Sequence, residues 1–236
     1  MTAVFKREFR AFFTGPIGYT VLALLFAVSG YFFTAYNMIA GATDLSGVFT
    51  SMYTVTSMLV LPILSMRLFS EEKRQKTDQA LLTAPVSLAG LVLGKFFAAF
   101  LVFVIGVSIT LVYAVVLALV CTPEWMLILG NYFGMLLFGG AVLAAGLLFS
   151  CLTESQLVAA LCTFAVTLFL NMIDYLNVLF PNSKFVAAAV EFLSVSGRYN
   201  EFVLGSIQYD NILFFVSLQA VLLFLAVRVL DRRRWN

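Results

Sequence analysis

LVLGKFFAAFLVFVIGVSITLVYAVVLALV, residues 91–120, carries one charged side chain, Lys95, in its whole length. A helix rises about 1.5 Å per residue, so about 20 residues cross a hydrocarbon core of about 30 Å. This stretch is long enough to span. Five others read the same way: Ile17–Asn37, Val48–Leu68, Met126–Ser150, Leu157–Phe180 and Asn211–Leu230. Of the 14 Lys and Arg residues, all but Lys184 and Arg198 fall on one side of these stretches. Lys6, Arg7 and Arg10 precede the first. Arg67, Lys73, Arg74, Lys76 and Lys95 lie around the connection from the second to the third, and Arg228, Arg232, Arg233 and Arg234 close the chain. Short loops rich in Lys and Arg stay in the cytoplasm. Both termini are therefore expected inside, with six transmembrane helices in one all-α membrane domain covering residues 1–236.

Composition agrees. Apolar residues make up 62%, charged residues 11%, and the mean hydropathy is +1.03, against about 25% charged residues in a soluble domain. The net charge of +2 belongs to residues that orient the chain against anionic headgroups and points to no nucleic acid. The chain has no histidine, which removes the commonest metal ligand and general base. Cys121, Cys151 and Cys162 have neither paired nor metal spacing and read as apolar packing residues. No catalytic residue and no metal site is expected. Gly90-Leu-Val-Leu-Gly94-Lys95-Phe96 resembles a phosphate-binding loop, but it has three intervening residues instead of four and Phe96 in place of Ser or Thr. Lys95 is read as snorkelling at the inner start of the third span.

Outside the spans, Phe5, Phe9, Phe12 and Phe13 share a helical face away from Lys6, Arg7 and Arg10, the pattern of an interfacial amphipathic helix. Gly15-Pro16 ends it. Phe69 to Ser87, FSEEKRQKTDQALLTAPVS, is the most polar cytoplasmic segment. Pairs Glu72–Lys76 and Arg74–Asp78 at i,i+4 support a solvated helix there, and Leu81 and Leu82 give it an apolar tip before Pro85. Such a helix suits docking to a cytoplasmic partner as well as a plain connector. Polar stripes run along the second span (Thr50, Tyr53, Thr54, Ser57) and the fifth (Gln156, Thr163, Thr167, Asn171, Asp174); either helix packing or a water-containing path accounts for them. The glycines of the fourth span, Gly130, Gly134, Gly139, Gly140 and Gly146, read as close helix packing. Between the fifth and sixth spans, two short re-entrant outer helices are expected, broken at Ser194–Gly197.

Four stretches in order resemble the membrane subunits of type-2 ATP-binding-cassette (ABC) exporters, in the branch of gliding-motility and nitrous-oxide-reductase-maturation permeases: KREFRAFFTGPIGY (Lys6–Tyr19), FSEEKRQKTDQALLTAPVS with the following Leu93-Gly94-Lys95, RYNEFVLGSI (Arg198–Ile207), and VRVLDRRRWN (Val227–Asn236). The family signature usually has Gly where Lys76 stands and Glu where Asp78–Gln79 stand. The resemblance implies a non-catalytic exporter permease in a prokaryotic inner or plasma membrane; the sequence does not name the substrate, and the narrow polar inventory of the spans points to a hydrophobic or amphipathic one. It implies a second permease subunit, identical or similar, and two copies of a cytoplasmic ABC ATPase that holds the ATP and Mg, with room for an auxiliary protein outside. Glu71, Glu72, Lys73, Arg74, Asp78, Leu81 and Leu82 would form the ATPase-coupling helix, and Lys6, Arg7 and Arg10 the connecting helix. Thr54, Ser57, Thr163, Thr167, Asn171 and Asp174 would line the translocation path, with Phe202 and Gly205 at the outer gate. The competing readings are a mechanical or scaffolding membrane subunit, which would use the same coupling to act on an extracytoplasmic partner, and an unrelated helical membrane protein such as an intramembrane enzyme.

Overall fold

The computed structural model describes residues 1–74, 76, 87–174, 176, 190 and 194–234. Among them the chain is all-helical: α1 (Thr2–Thr14), α2 (Pro16–Phe33), α3 (Ser46–Val55), α4 (Leu61–Arg74), α5 (Leu88–Val107), α6 (Ile109–Ala118), α7 (Trp125–Leu152), α8 (Gln156–Met172), α9 (Val195–Val203) and α10 (Tyr209–Arg234). Gly15 and Pro16 separate α1 from α2 as expected, Pro16 taking the first-turn position where its missing N–H costs nothing. Two π-helical turns interrupt the regular geometry. One, Thr34–Ile39, ends α2, and the other, Thr56–Val60, joins α3 to α4. The second lies just before Pro62, whose ring would otherwise meet the carbonyl of the preceding turn. Ser108 separates α5 from α6; its hydroxyl donates to the Val104 carbonyl at 2.7 Å and pairs with Tyr132 Oη at 3.0 Å, the back-bonding that bends helices.

Five helical segments among the described residues are long and apolar enough to cross a membrane: Pro16–Ile39, Ser46–Arg74, Leu88–Ala118, Trp125–Leu152 and Tyr209–Arg232. The sixth expected span is represented by Gln156–Met172, 17 residues long, which reaches about 26 Å at 1.5 Å per residue. The rest of the predicted Leu157–Phe180 stretch falls largely outside the described residues, as do Asp78, Leu81, Leu82 and residues 181–189 of the outer connection. In that connection a single described helix, α9, starts inside the expected break, because the Ser194 side chain caps it by accepting from the Gly197 amide at 2.9 Å.

The glycines of α7 make it the central helix. A Cβ at Gly134 would lie 2.6 Å from Phe202 Cβ, at Gly139 2.1 Å from Phe103 Cε1, at Gly140 2.8 Å from Gln219 Nε2 and at Gly146 2.0 Å from Ser65 Oγ. Each glycine thus admits a different neighbour: α9, α5, α10 and α4. The small residues let these helices approach where a bilayer offers no hydrophobic drive between them. At the other extreme α10 is largely exposed along its length, with Leu213, Val216, Val221 and Phe224 turned outward.

The segment expected to open a separate helix at Glu71 is instead the last turn of α4, which runs unbroken to Arg74. Lys76 then takes φ 56°, with its amide donating to the Lys73 carbonyl at 3.0 Å. This is the left-handed helix end that glycine favours, and it explains why the resembled signature carries Gly there. It also removes the expected Glu72–Lys76 pair, since Glu72 points elsewhere.

Two predictions follow from this packing. Gly146→Ala places its Cβ 2.5 Å from Ser65 Cβ as well as against the hydroxyl, and is expected to cost about 1–3 kcal/mol. Gly130→Ala meets nothing nearer than Ile207 Cδ1 at 3.5 Å and is expected to be neutral or to gain up to about 1 kcal/mol; thermal midpoints of both in one detergent check the ranking. Lys76→Gly relieves the left-handed strain and is expected to stabilise by roughly 0.5–1 kcal/mol, net of the greater chain entropy of glycine. A fall in midpoint would contradict that account.

Candidate functional site

At the basic end of the bundle α1, α4 and α5 meet. α1 presents Val4, Glu8 and Phe12 along one face at i,i+4 spacing, and that face turns inward: Val4 and Phe12 are buried. Its seat on α5 is made by glycine. A Cβ at Gly94 would stand 3.0 Å from Val4 Cγ1, and Gly90 lies beside Met1. The glycines that resemble a phosphate loop are therefore a helix-packing seat, and Ser87 caps the helix that carries them by accepting from the Gly90 amide at 3.2 Å.

Lys95, one residue beyond this seat, is the correction of greatest consequence. Expected to snorkel, it is 1% exposed. Its Nζ lies 2.9 Å from Glu72 Oε1 and 3.3 Å from Glu8 Oε1, donates to the Leu68 carbonyl at 2.6 Å and sits 4.9 Å from the centroid of Phe69. Arg7 Nη2 reaches the same Glu72 oxygen at 3.1 Å and also bonds Glu8. Arg67 Nε pairs with Glu71 Oε2 at 3.1 Å, and its guanidinium lies 5.4 Å from the centroid of Phe12. A cleft of about 270 Å³ opens among these groups. Among the described residues it is lined by three cations, Arg7, Arg67 and Lys95, and three carboxylates, Glu8, Glu71 and Glu72. The ion pairs among them tie α1, α4 and α5 together.

A second tie joins the same turn of α4 to α7. Ser150 Oγ accepts from the amides of Phe69 at 2.9 Å and Ser70 at 3.0 Å, and donates to the Met66 carbonyl at 3.1 Å. The buried Lys73 donates to the Cys151 carbonyl. Of the predicted coupling residues, Glu71, Glu72, Lys73 and Arg74 thus occupy the last turn of α4: Glu71 pairs within α4 with Arg67, Glu72 reaches α1 and α5, and Lys73 reaches α7. Asp78, Leu81 and Leu82 lie outside the described residues. Among the predicted connecting-helix residues, Arg7 joins the network, and Lys6 and Arg10 face outward. Glu8, Ser70 and Ser150 were not singled out in the sequence; for Glu8 the available signal was its place midway between Val4 and Phe12.

The polar stripes are at the middle and far end. Ser57, Thr163 and Thr167 are buried within the chain, and their hydroxyls donate to carbonyls of their own helices, Thr163 to Ala159 at 2.8 Å and Thr167 to Thr163 at 2.7 Å. Each of these three hydroxyls is satisfied within its own helical segment. Thr54 is exposed, and Asn171 and Asp174 are half-buried. Tyr53 Oη donates to Asn171 Oδ1. The Tyr53 ring stacks on Tyr199, centroids 4.3 Å apart, and lies 4.4 Å from Phe138. Tyr199 Oη donates to the Phe49 carbonyl at 3.2 Å, and Ser196 donates to Asp174. Phe202 is fully buried against Gly134, and Gly205 makes the left-handed turn, φ 78°, that follows α9.

The family model described as ABC-2 family transporter protein matches residues 11–174 of the 236. No curated protein matches the chain. The match takes in the α4 turn, the α5 seat and the central α7, while Arg7 and Glu8 of α1 lie just before it. Proteins of this family are membrane subunits, and the ATPase activity of their transporters sits on partner proteins. With several apolar helices of spanning length and a match over well over half its residues, the chain is a multi-pass membrane protein belonging to the ABC-2 transporter family.

Proposed function

We propose that this chain is the six-span permease subunit of an ABC exporter, with both termini in the cytoplasm of a prokaryotic cell. The segment following Arg74 is the ATPase-coupling element, and α1 is the connecting helix. Two such permease subunits assemble with two cytoplasmic ATPase subunits, which hold the ATP and Mg, and the complex moves a hydrophobic or amphipathic substrate outward. The order of its four motifs supports a kinship with the gliding-motility and nitrous-oxide-reductase-maturation permeases.

One observation carries the reading. The last turn of α4, the interfacial helix α1 and the start of α5 share a buried ion-pair network centred on Lys95. A push on the chain just after Arg74 reaches Glu72 first, and through Lys95 it must move α1 and α5 as well. The Ser150 and Lys73 ties pass the same displacement to α7. Movement of packed helices as rigid pieces between two arrangements is how such a displacement reaches the far end. There, the incompletely buried Thr54, Asn171 and Asp174 are assigned to the path, and Phe202 and Gly205 to its outer closure. Ser57, Thr163 and Thr167 contribute through packing.

The test is affinity purification from native membranes in mild detergent, followed by an ATPase assay. Recovery of a soluble ATPase whose turnover responds to the permease is expected. Glu72→Gln should leave insertion and ATPase recovery intact while abolishing that response; an unchanged response would remove the coupling role. Lys95→Met removes the one fully buried cation of the network, leaves Glu8 and Glu72 to the largely exposed Arg7, and is expected to cost about 3 kcal/mol of stability. Arg7→Gln, at a largely exposed side chain, should cost about 0–1 kcal/mol. Equal midpoint shifts for the two would show that Lys95 is not the centre of the network.

A further inference from the structure

A groove of about 400 Å³ lies between α1 and α5, outside the Lys95 network. Thr2 and Phe5 stand on one wall, and Phe97, Phe100, Leu101 and Val104 on the other. Both walls are continuous stretches of described chain, residues 1–5 and 97–104. They are braced from behind: Phe5 stacks on Phe9 with centroids 6.0 Å apart, and Phe100 on Phe96 at 5.8 Å. On α5 the lining runs about 10 Å along the axis, away from α1 and toward the middle of the Leu88–Ala118 span. Phe97 is 41% exposed on that span, so the groove opens sideways into hydrocarbon. A molecule already in the bilayer can lay one chain in it.

The rim of the groove at α1 is cationic. Lys6 stands one turn after Thr2, and Arg10 one turn after Lys6, a single row at i,i+4. Side chains on a helix lean toward its N-terminus, so Lys6 leans over Thr2 and the mouth of the groove. Both cations are exposed, and neither enters an ion pair among the described residues. Glu8, the one carboxylate of α1, is already held by Arg7 and Lys95. Two like charges a turn apart repel each other, and an anion beside them relieves that repulsion.

We propose that this groove holds an anionic phospholipid, one acyl chain lying between Phe5 and the Phe97–Val104 face and the headgroup resting against Lys6, with Arg10 beyond it. Charge complementarity selects this occupant, because a zwitterionic lipid would bring an ammonium to the same two cations. Naming the leaflet as the cytoplasmic one rests on the topology proposed above; the site itself does not.

The experiment is native mass spectrometry of the full chain in detergent, titrated with phosphatidylglycerol or phosphatidylethanolamine of the same acyl chains. The wild type is expected to retain phosphatidylglycerol about five-fold better, or about 1 kcal/mol. Lys6→Gln, at an exposed side chain, is expected to remove that preference and leave the lipid-free thermal midpoint unchanged. Leu101→Trp fills the groove and is expected to lower retention of both lipids about five-fold with Lys6 still in place. Should it shift the lipid-free midpoint, Val104→Phe replaces it with the same expected loss. Equal retention of the two lipids by the wild type overturns the proposal, as does a preference that survives Lys6→Gln. Retention unchanged in the groove-filling variant also overturns it, since the basic row would then attract any anionic surface without a seat for one lipid. So does a dimer of this chain that covers the groove and excludes both lipids. The readout needs no ATPase, so failure here leaves the coupling reading standing.

Discussion

An ammonium group withdrawn from water at the edge of a bilayer is tolerable only if its whole hydrogen-bonding and charge requirement is met on the spot. Lys95 sets that requirement, and three helices meet it together: α4 brings Glu72 and the Leu68 carbonyl, α1 brings Glu8, and α5 carries the lysine itself. Separating α4 from α5 would take the buried Lys95 away from Glu72 and the Leu68 carbonyl, and moving α1 would leave it with Glu72 alone of the two carboxylates. The glycine seat at Gly90 and Gly94 is part of the same constraint, since it lets α1 lie close enough for Glu8 to reach. The amphipathic helix is fixed by chemistry as well as by lipid.

A different kind of order holds the remainder of the bundle. Around α7 the contacts are steric, one neighbour fitted to each glycine, and at the far end they are aromatic, with Tyr53, Phe138 and Tyr199 stacked across three helices. Tyrosines suit that place because each offers a large apolar ring and one hydroxyl that finds a partner. The α3–α4 segment is therefore gripped at both extremities, by ion pairs and serine hydroxyls at one and by rings at the other. A helix held in this way transmits axial and rotational displacement along its length.

Hydropathy and the placement of basic residues were enough to read the all-helical membrane architecture, because both follow from the solvent the chain must live in. The role of Lys95 was not readable. A lysine near the start of an apolar stretch snorkels or is buried according to what lies over it, and here α1, distant in sequence, decides. The threonine stripe of α8 was ambiguous for a related reason: Thr163 and Thr167 satisfy their own hydroxyls on the preceding turn, so their polarity does not require water. For Glu72, local i,i+4 pairing suggested a solvent-facing partner, Lys76. With Lys76 in a left-handed conformation, Glu72 turns instead to Lys95 and Arg7, distant in sequence, while Glu71 keeps an i,i+4 partner on its own helix, Arg67.

The π-helical turn at Thr56–Val60 gives this gripped segment an unusual property. Its wider winding stores one residue beyond what an α-helix of the same rise would hold, so the faces above and below are out of phase by about 100°. Sliding that surplus residue along the helix turns one half against the other while most backbone hydrogen bonds are exchanged one for one. The surplus residue therefore sets Tyr53 and Glu72 on faces that an unbroken α-helix would not give them, and any sliding of it would turn one relative to the other.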